Sequence, residues 1–149
     1  MKTLAAALVG SVVLLAGCAT SPTPPAPTPP SPNDACRALL DSLNAAIAPG
    51  QSLADLQARG IRVRTPLSFP PGTVPRPLQS SGAAVQMMIQ PDGSVLPGSP
   101  KTLKSVGEAQ IASAMEAGAL SMQFDLDALI PKPSAPIPYT TIFAVCNRS

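Results

Sequence analysis

"AVQMMIQPDGSV", Ala84 to Val95, carries the clearest structural signal in the chain, a strand and a tight turn. Val85, Met87 and Ile89 recur at period two, so they share one face of a strand. "QPDGS", Gln90 to Ser94, then supplies a turn, because Asp-Gly tolerates the positive φ that a tight hairpin needs. Val95 and Leu96 are expected to begin the return strand. Pro97, Gly98 and Pro100 weaken it, since proline in a strand argues for an edge position or a bulge.

Downstream of the hairpin, Ser105-Val106-Gly107-Glu108 fits a capping box, with Ser at the cap and Glu three residues on. Ile111, Ala114, Met115 and Gly118 follow at helical spacing, which predicts a helix from about Val106 to Ala117. Met122, Phe124 and Leu126 alternate with Gln123 and Asp125, a short strand. Ile130 to Pro138 is a proline-rich loop, and Tyr139 to Cys146 ("YTTIFAVC") is a strongly β-prone last strand. Upstream, Thr65 to Pro77 holds five prolines and is expected to be irregular. Ile61 to Thr65 alternates like a short strand, and Ser52 to Ala58 reads as a helical turn stopped by Gly60. Asn33 or Asp34 can cap a first helix, whose apolar stripe is Cys36, Leu39, Leu40, Leu43 and Ile47, ended by Pro49-Gly50. Helices and strands together predict an α+β domain.

The chain has 149 residues, and residues 33–149 make one small domain of about 117 residues. It contains no Trp, three Phe and one Tyr, so the core is modest and gains from a covalent staple. Of its three cysteines, Cys36 and Cys146 sit at the two ends of the domain. They are expected to pair; two free buried thiols is the competing expectation. Net charge is +2, and the only local basic cluster is "RGIRVR", Arg59 to Arg64. Arg62 and Arg64 share a strand face, read as solvated, with contact to anionic lipid or glycan as the sharper alternative. No aromatic interleaving supports nucleic-acid binding.

The N-terminus reads as a cleavable export signal over residues 1–17. Lys2 gives a positive start, and the uncharged run Leu4 to Ala16 is too short for a crossing of about 20 residues. Leu15-Ala16-Gly17-Cys18 resembles the bacterial lipobox, the alternative being a plain secretory signal with a chance cysteine. The resemblance implies cleavage before Cys18, a diacylglycerol thioether on its sulfur and an acyl chain on the new amino terminus. Two or more chains are what stable anchoring requires, at roughly 0.8 kcal/mol per buried CH₂. Ala19, rather than Asp, implies the periplasmic face of the outer membrane as the destination. Residues 18–32 then form a lipidated linker. Ser21 to Pro32 ("SPTPPAPTPPSP") has seven prolines in twelve residues and favours polyproline II. At about 3.1 Å per residue it reaches roughly 35 to 40 Å. It is read as a tether rather than as a ligand for a proline-binding module.

The stretch from about Thr65 to Cys146 resembles the TonB C-terminal domain family. The matching segments are "LSFPPG" (Leu67 to Gly72), "AVQMMIQPDGSV" (Ala84 to Val95), "SVGEAQIASAMEAGALSMQF" (Ser105 to Phe124) and "PYTTIFAVC" (Pro138 to Cys146). The resemblance implies a small antiparallel sheet of about three strands with helices on one face, here preceded by an extra N-terminal helix. It also implies binding of partner peptides by strand addition. The candidate edge is Thr140, Thr141, Ile142, Phe143, Ala144 and Val145, with Arg62 and Arg64 guessed to lie nearby. Energy-transducing members carry an inner-membrane helix and a long proline-rich span. This chain has a lipobox and a short linker, so force transmission is not expected.

Histidine is absent, which removes His triads, His metal sites and the commonest general base. No metal or other cofactor is expected beyond the lipid on Cys18. Asp125 and Asp127 could be read as a paired-carboxylate site, but spacing of two puts both opposite Met122, Phe124 and Leu126, in solvent. The expected function is therefore not enzymatic. It is an outer-membrane-anchored lipoprotein that binds an envelope protein or peptide by strand addition, the alternative being a structural or assembly lipoprotein.

Overall fold

The computed structural model describes residues 31–69 and 79–146. The expected signal, Cys18, most of the linker and the prolines from Pro70 to Pro77 lie outside them. The first helix, α1, spans Pro32–Asn44, and its cap is Ser31 rather than Asn33 or Asp34. Pro32 suits the first helical position, where no N–H is needed. Asp34 is instead the partner of the cap: its N–H donates to Ser31 Oγ at 3.2 Å. A short helix, α2 (Leu53–Ala58), opens with a complete capping box between Ser52 and Asp55. The remaining elements are β1 (Arg62–Thr65), β2 (Ser81–Ile89), β3 (Lys101–Val106), α3 (Ala109–Ala119), β4 (Gln123–Asp125) and β5 (Ile137–Val145). They form a mixed α/β fold with two antiparallel sheets, one of strand order β3-β2-β5 and one pairing β1 with β4.

β2 is the central strand because it is apolar or small on both faces. Ala83, Val85, Met87 and Ile89 are buried on one face and Gly82 and Ala84 on the other. A strand buried twice needs two covers. On the first face, Ile111 and Met115 of α3 pack with Ala83 and Val85, flanked by Phe143 and Val145. On the second, Leu39 and Leu43 of α1 pack on Ala84, flanked by Ile142 and Ala144. The expected arrangement, helices on one face of the sheet, is thus corrected: α1 and α3 sandwich it. Gly82 makes the approach of α1 possible. A Cβ there would stand 2.8 Å from Leu43 Cδ1 and 2.5 Å from the Phe143 carbonyl.

The hairpin turn forms as expected, with Ser94 N–H donating to Asp92 Oδ1 at 2.8 Å. The return strand does not start there. Val95 makes only an isolated bridge to Ile89. After Pro97 and Pro100 the ladder restarts at Lys101, with a register shift between Ala84 and Val85. This displaces the helix start too. Ser105 is paired in the strand with Ala83, so Ser105 and Glu108 form no capping box. Gly107, at φ +81°, turns the chain, and α3 begins at Ala109. The Glu108 N–H donates to Ser81 Oγ at 3.2 Å. A row of ladder bonds outcompetes one local side-chain cap.

The second sheet carries the expected strands around Val63 and Phe124, which pair with each other rather than joining β2. Beneath it lie Leu56, Ile61, Met87, Ile89, Met122, Phe124 and Tyr139. Phe124 and Tyr139 meet edge to face at 5.4 Å. Cys36 in α1 is joined to Cys146, just beyond β5, with Cα atoms 5.4 Å apart.

Candidate functional site

The expected binding segment, Thr140 to Val145, lies in β5, an outer strand of the three-stranded sheet. Which of its polar groups face outward follows from the ladder. Met88 accepts from Leu96 N–H and donates to Ser99 Oγ, so its backbone points toward the β3 side. Alternation then directs Ser81, Ala83, Val85 and Met87 toward β5, where their partners are Val145, Phe143, Thr141 and Tyr139. Thr140, Ile142 and Ala144 therefore turn their N–H and C=O groups away from the sheet.

Thr140 is already engaged. Its N–H donates to the Gln51 carbonyl at 2.9 Å. Gln51 Oε1 accepts from Thr140 Oγ1 at 3.2 Å and from Gln86 Nε2 at 2.7 Å. Ile142 and Ala144 have no such outer backbone partner among the described residues. Their side chains are half-buried against α1. Beside this edge runs a groove of about 290 Å³ lined by Asn44, Ile47, Leu53, Ala54, Thr141 and Ile142, among others. Tyr139 and Thr140 also line it, and burial pushes the Tyr139 phenol above its ordinary pKa. Gln51 carries no signal in the sequence, and Leu53 none beyond its place in the short helical turn from Ser52.

The opposite edge, β3, is covered at Thr102 and lined by charge. Glu116 Oε1, reaching over from α3, accepts from Thr102 N–H at 2.7 Å and from Thr102 Oγ1 at 2.6 Å. Lys101 and Lys104 stand exposed along the same strand.

Arg62 and Arg64 are exposed on one face of β1, as expected, but they do not lie beside β5. They line a separate open cleft of about 610 Å³ with Asp92, Asp125, Asp127 and Lys132. Three cations and three carboxylates line it, so the formal charges of its lining sum to zero. Asp125 and Asp127 are exposed and already occupied. Asp125 Oδ1 accepts the Asp127 N–H at 2.9 Å, and Lys132 Nζ pairs with Asp127 Oδ1 at 2.9 Å. That hydrogen bond, with the lysine's charge, draws Asp127 below the usual carboxylate range. Ser94 does the same to Asp92. Among the described residues there is no group of three or more metal-ligating side chains, and no helix is long and apolar enough to cross a membrane.

No protein-family model matches the chain, and neither a characterised protein nor a solved structure shows significant similarity to it.

Proposed function

We propose that this domain binds extended peptide segments by adding them to the β3-β2-β5 sheet along β5, from a lipid anchor at Cys18. The observation that carries the reading is the outward backbone of Ile142 and Ala144, which has no outer partner among the described residues. Ladder hydrogen bonds supply affinity in this mode, and neighbouring side-chain pockets supply selectivity. The order hairpin, helix, short strand, last strand supports the resemblance to TonB C-terminal domains. The second sheet and the helix on the far face depart from it. Anchoring at the outer membrane rests on Leu15 to Cys18 and Ala19. The bound segment belongs to an envelope protein that presents it there. Nothing in this role requires force transmission.

The test is photo-crosslinking in cells from position 141, where Thr141 lines the groove, with mass spectrometry of the captured species. Capture of an extended segment of an envelope protein is the expected outcome. Capture of this chain alone, or of one fixed envelope complex through a folded surface, would replace the reading with a structural role.

A further inference from the structure

The β5 edge is bounded at both ends. At one end Gln51 fills the ladder position opposite Thr140, and it is firmly fixed. It is tied by its carbonyl and its side chain to Thr140 and by its side chain to Gln86. The next residue, Ser52, caps α2. Thr140 itself is 1% exposed. At the other end β5 stops at Val145, and Cys146 is joined to Cys36 of α1. Only Ile142 and Ala144 are left to pair. The adjoining groove has no charged residue in its lining and is apolar at Ile47, Leu53, Ala54 and Ile142. At about 290 Å³ it lies at the small end of the roughly 300–1,000 Å³ range of ligand pockets and has room for an aliphatic side chain.

We infer that Gln51 is a register stop. The site takes a short, uncharged, extended segment of a partner protein, which pairs with Ile142 and Ala144 and seats one aliphatic side chain against Ile47, Leu53 and Ile142. This rests on the strand-addition reading. The paired positions of the segment must not be proline, which has no N–H to give the ladder.

The test uses the full chain and a display library of random nine-residue peptides, with amide exchange followed by NMR. In the protein alone, the Ile142 and Ala144 amides are expected to exchange at least tenfold faster than that of Thr140. Selected peptides should share one aliphatic position and lack charge beside it. They should slow exchange at Ile142 and Ala144 and leave Thr140 unchanged. Leu53→Asp, at a residue 40% exposed, should weaken them at least tenfold, and Leu53→Met should not. Peptides that protect Ile142 and Ala144 without an aliphatic preference, or that alter Thr140, overturn the register stop and its ligand class while strand addition stands. Failure to select any peptide, or protection along β3 instead, overturns strand addition at β5 itself. Concentration-dependent protection of Ile142 and Ala144 without peptide makes a second copy the occupant and overturns the assignment to a partner protein.

Discussion

Thr102 on β3 and Thr140 on β5 occupy comparable places on the two outer strands of one sheet, and each finds a different guard. Thr102 meets a carboxylate from α3, among exposed lysines. Thr140 meets a loop carbonyl, and two residues further along the guard is gone. Charges and covering side chains are how sheets prevent unwanted edge pairing. β3 uses both. β5, also covered at one position, carries no charged residue from Ile137 to Val145. The two edges therefore differ in charge: the uncovered part of β3 lies among lysines, and that of β5 is uncharged. The uncovered part of β5 is framed by α1, by the α1–α2 loop and by a disulfide, all on the β5 side.

The strongest way to break this asymmetry is to remove the staple. Cys36 and Cys146 are 110 residues apart in sequence, and a loop of that size is worth about 4–5 kcal/mol in the chain-entropy account. Cys36→Ser is expected to lower the urea midpoint accordingly. Exchange should rise first in α1 and β5, where Leu39 and Leu43 would lose their clamp. An equal rise along β3 would show that the two edges share one cooperative unit. A smaller effect is expected at the guarded edge. Glu116→Ala strips Thr102 of its acceptor, a loss of about 1.5–3 kcal/mol for a hydrogen bond to a charged group. The Thr102 amide should then exchange faster, with Ile142 and Ala144 unchanged. Glu116→Gln, which keeps an acceptor, should restore most of the protection.

The smallest effect is expected from acid. Hydrogen bonds from the Ser52 hydroxyl and the Ser52 N–H lower the Asp55 pKa from its ordinary 3.8. A carboxylate lowered on folding adds stability above its unfolded pKa and loses it as pH falls through the folded value. The capping box of α2 should therefore be intact at neutral pH and fail only as pH falls below the ordinary carboxylate value of 3.8, loosening Gln51 and Leu53 at the β5 groove. Thermal melts and Thr140 exchange between pH 6 and 3 check this. Ser52→Ala should reduce the acid step.

Much of the sheet was legible from pattern alone. Alternation in Val85, Met87 and Ile89, the Asp-Gly turn and the β-prone run from Tyr139 all mark local preferences that survive folding. So do Leu39 and Leu43 of the α1 stripe, whereas Leu40 is exposed and Ile47 lies beyond the helix. The failures occurred where local and non-local preferences compete. Ser105-Val106-Gly107-Glu108 has the letters of a helix cap, yet Ser105 pairs with Ala83 because Gly82 to Ala84 need a neighbour. The prolines after Val95 were legible as a weakness in the return strand, but not how far they displaced it. Nothing in the letters of Gln51, Leu53 or Glu116 marks them as guards or groove walls.

Taken by themselves, the residues of this chain determined a small α+β domain, its hairpin, its last strand and the cysteines at its two ends, because turn chemistry and period are encoded within a few positions. They also carry, in Leu15 to Cys18, the motif from which an anchor is proposed. Only the tertiary structure decided that α1 and α3 lie on opposite faces, that β1 and β4 form their own sheet, and that β5 is an outer strand with two unmet positions. An edge is defined by what fails to pair with it. That depends on every other element's place in space, which no short stretch of sequence contains.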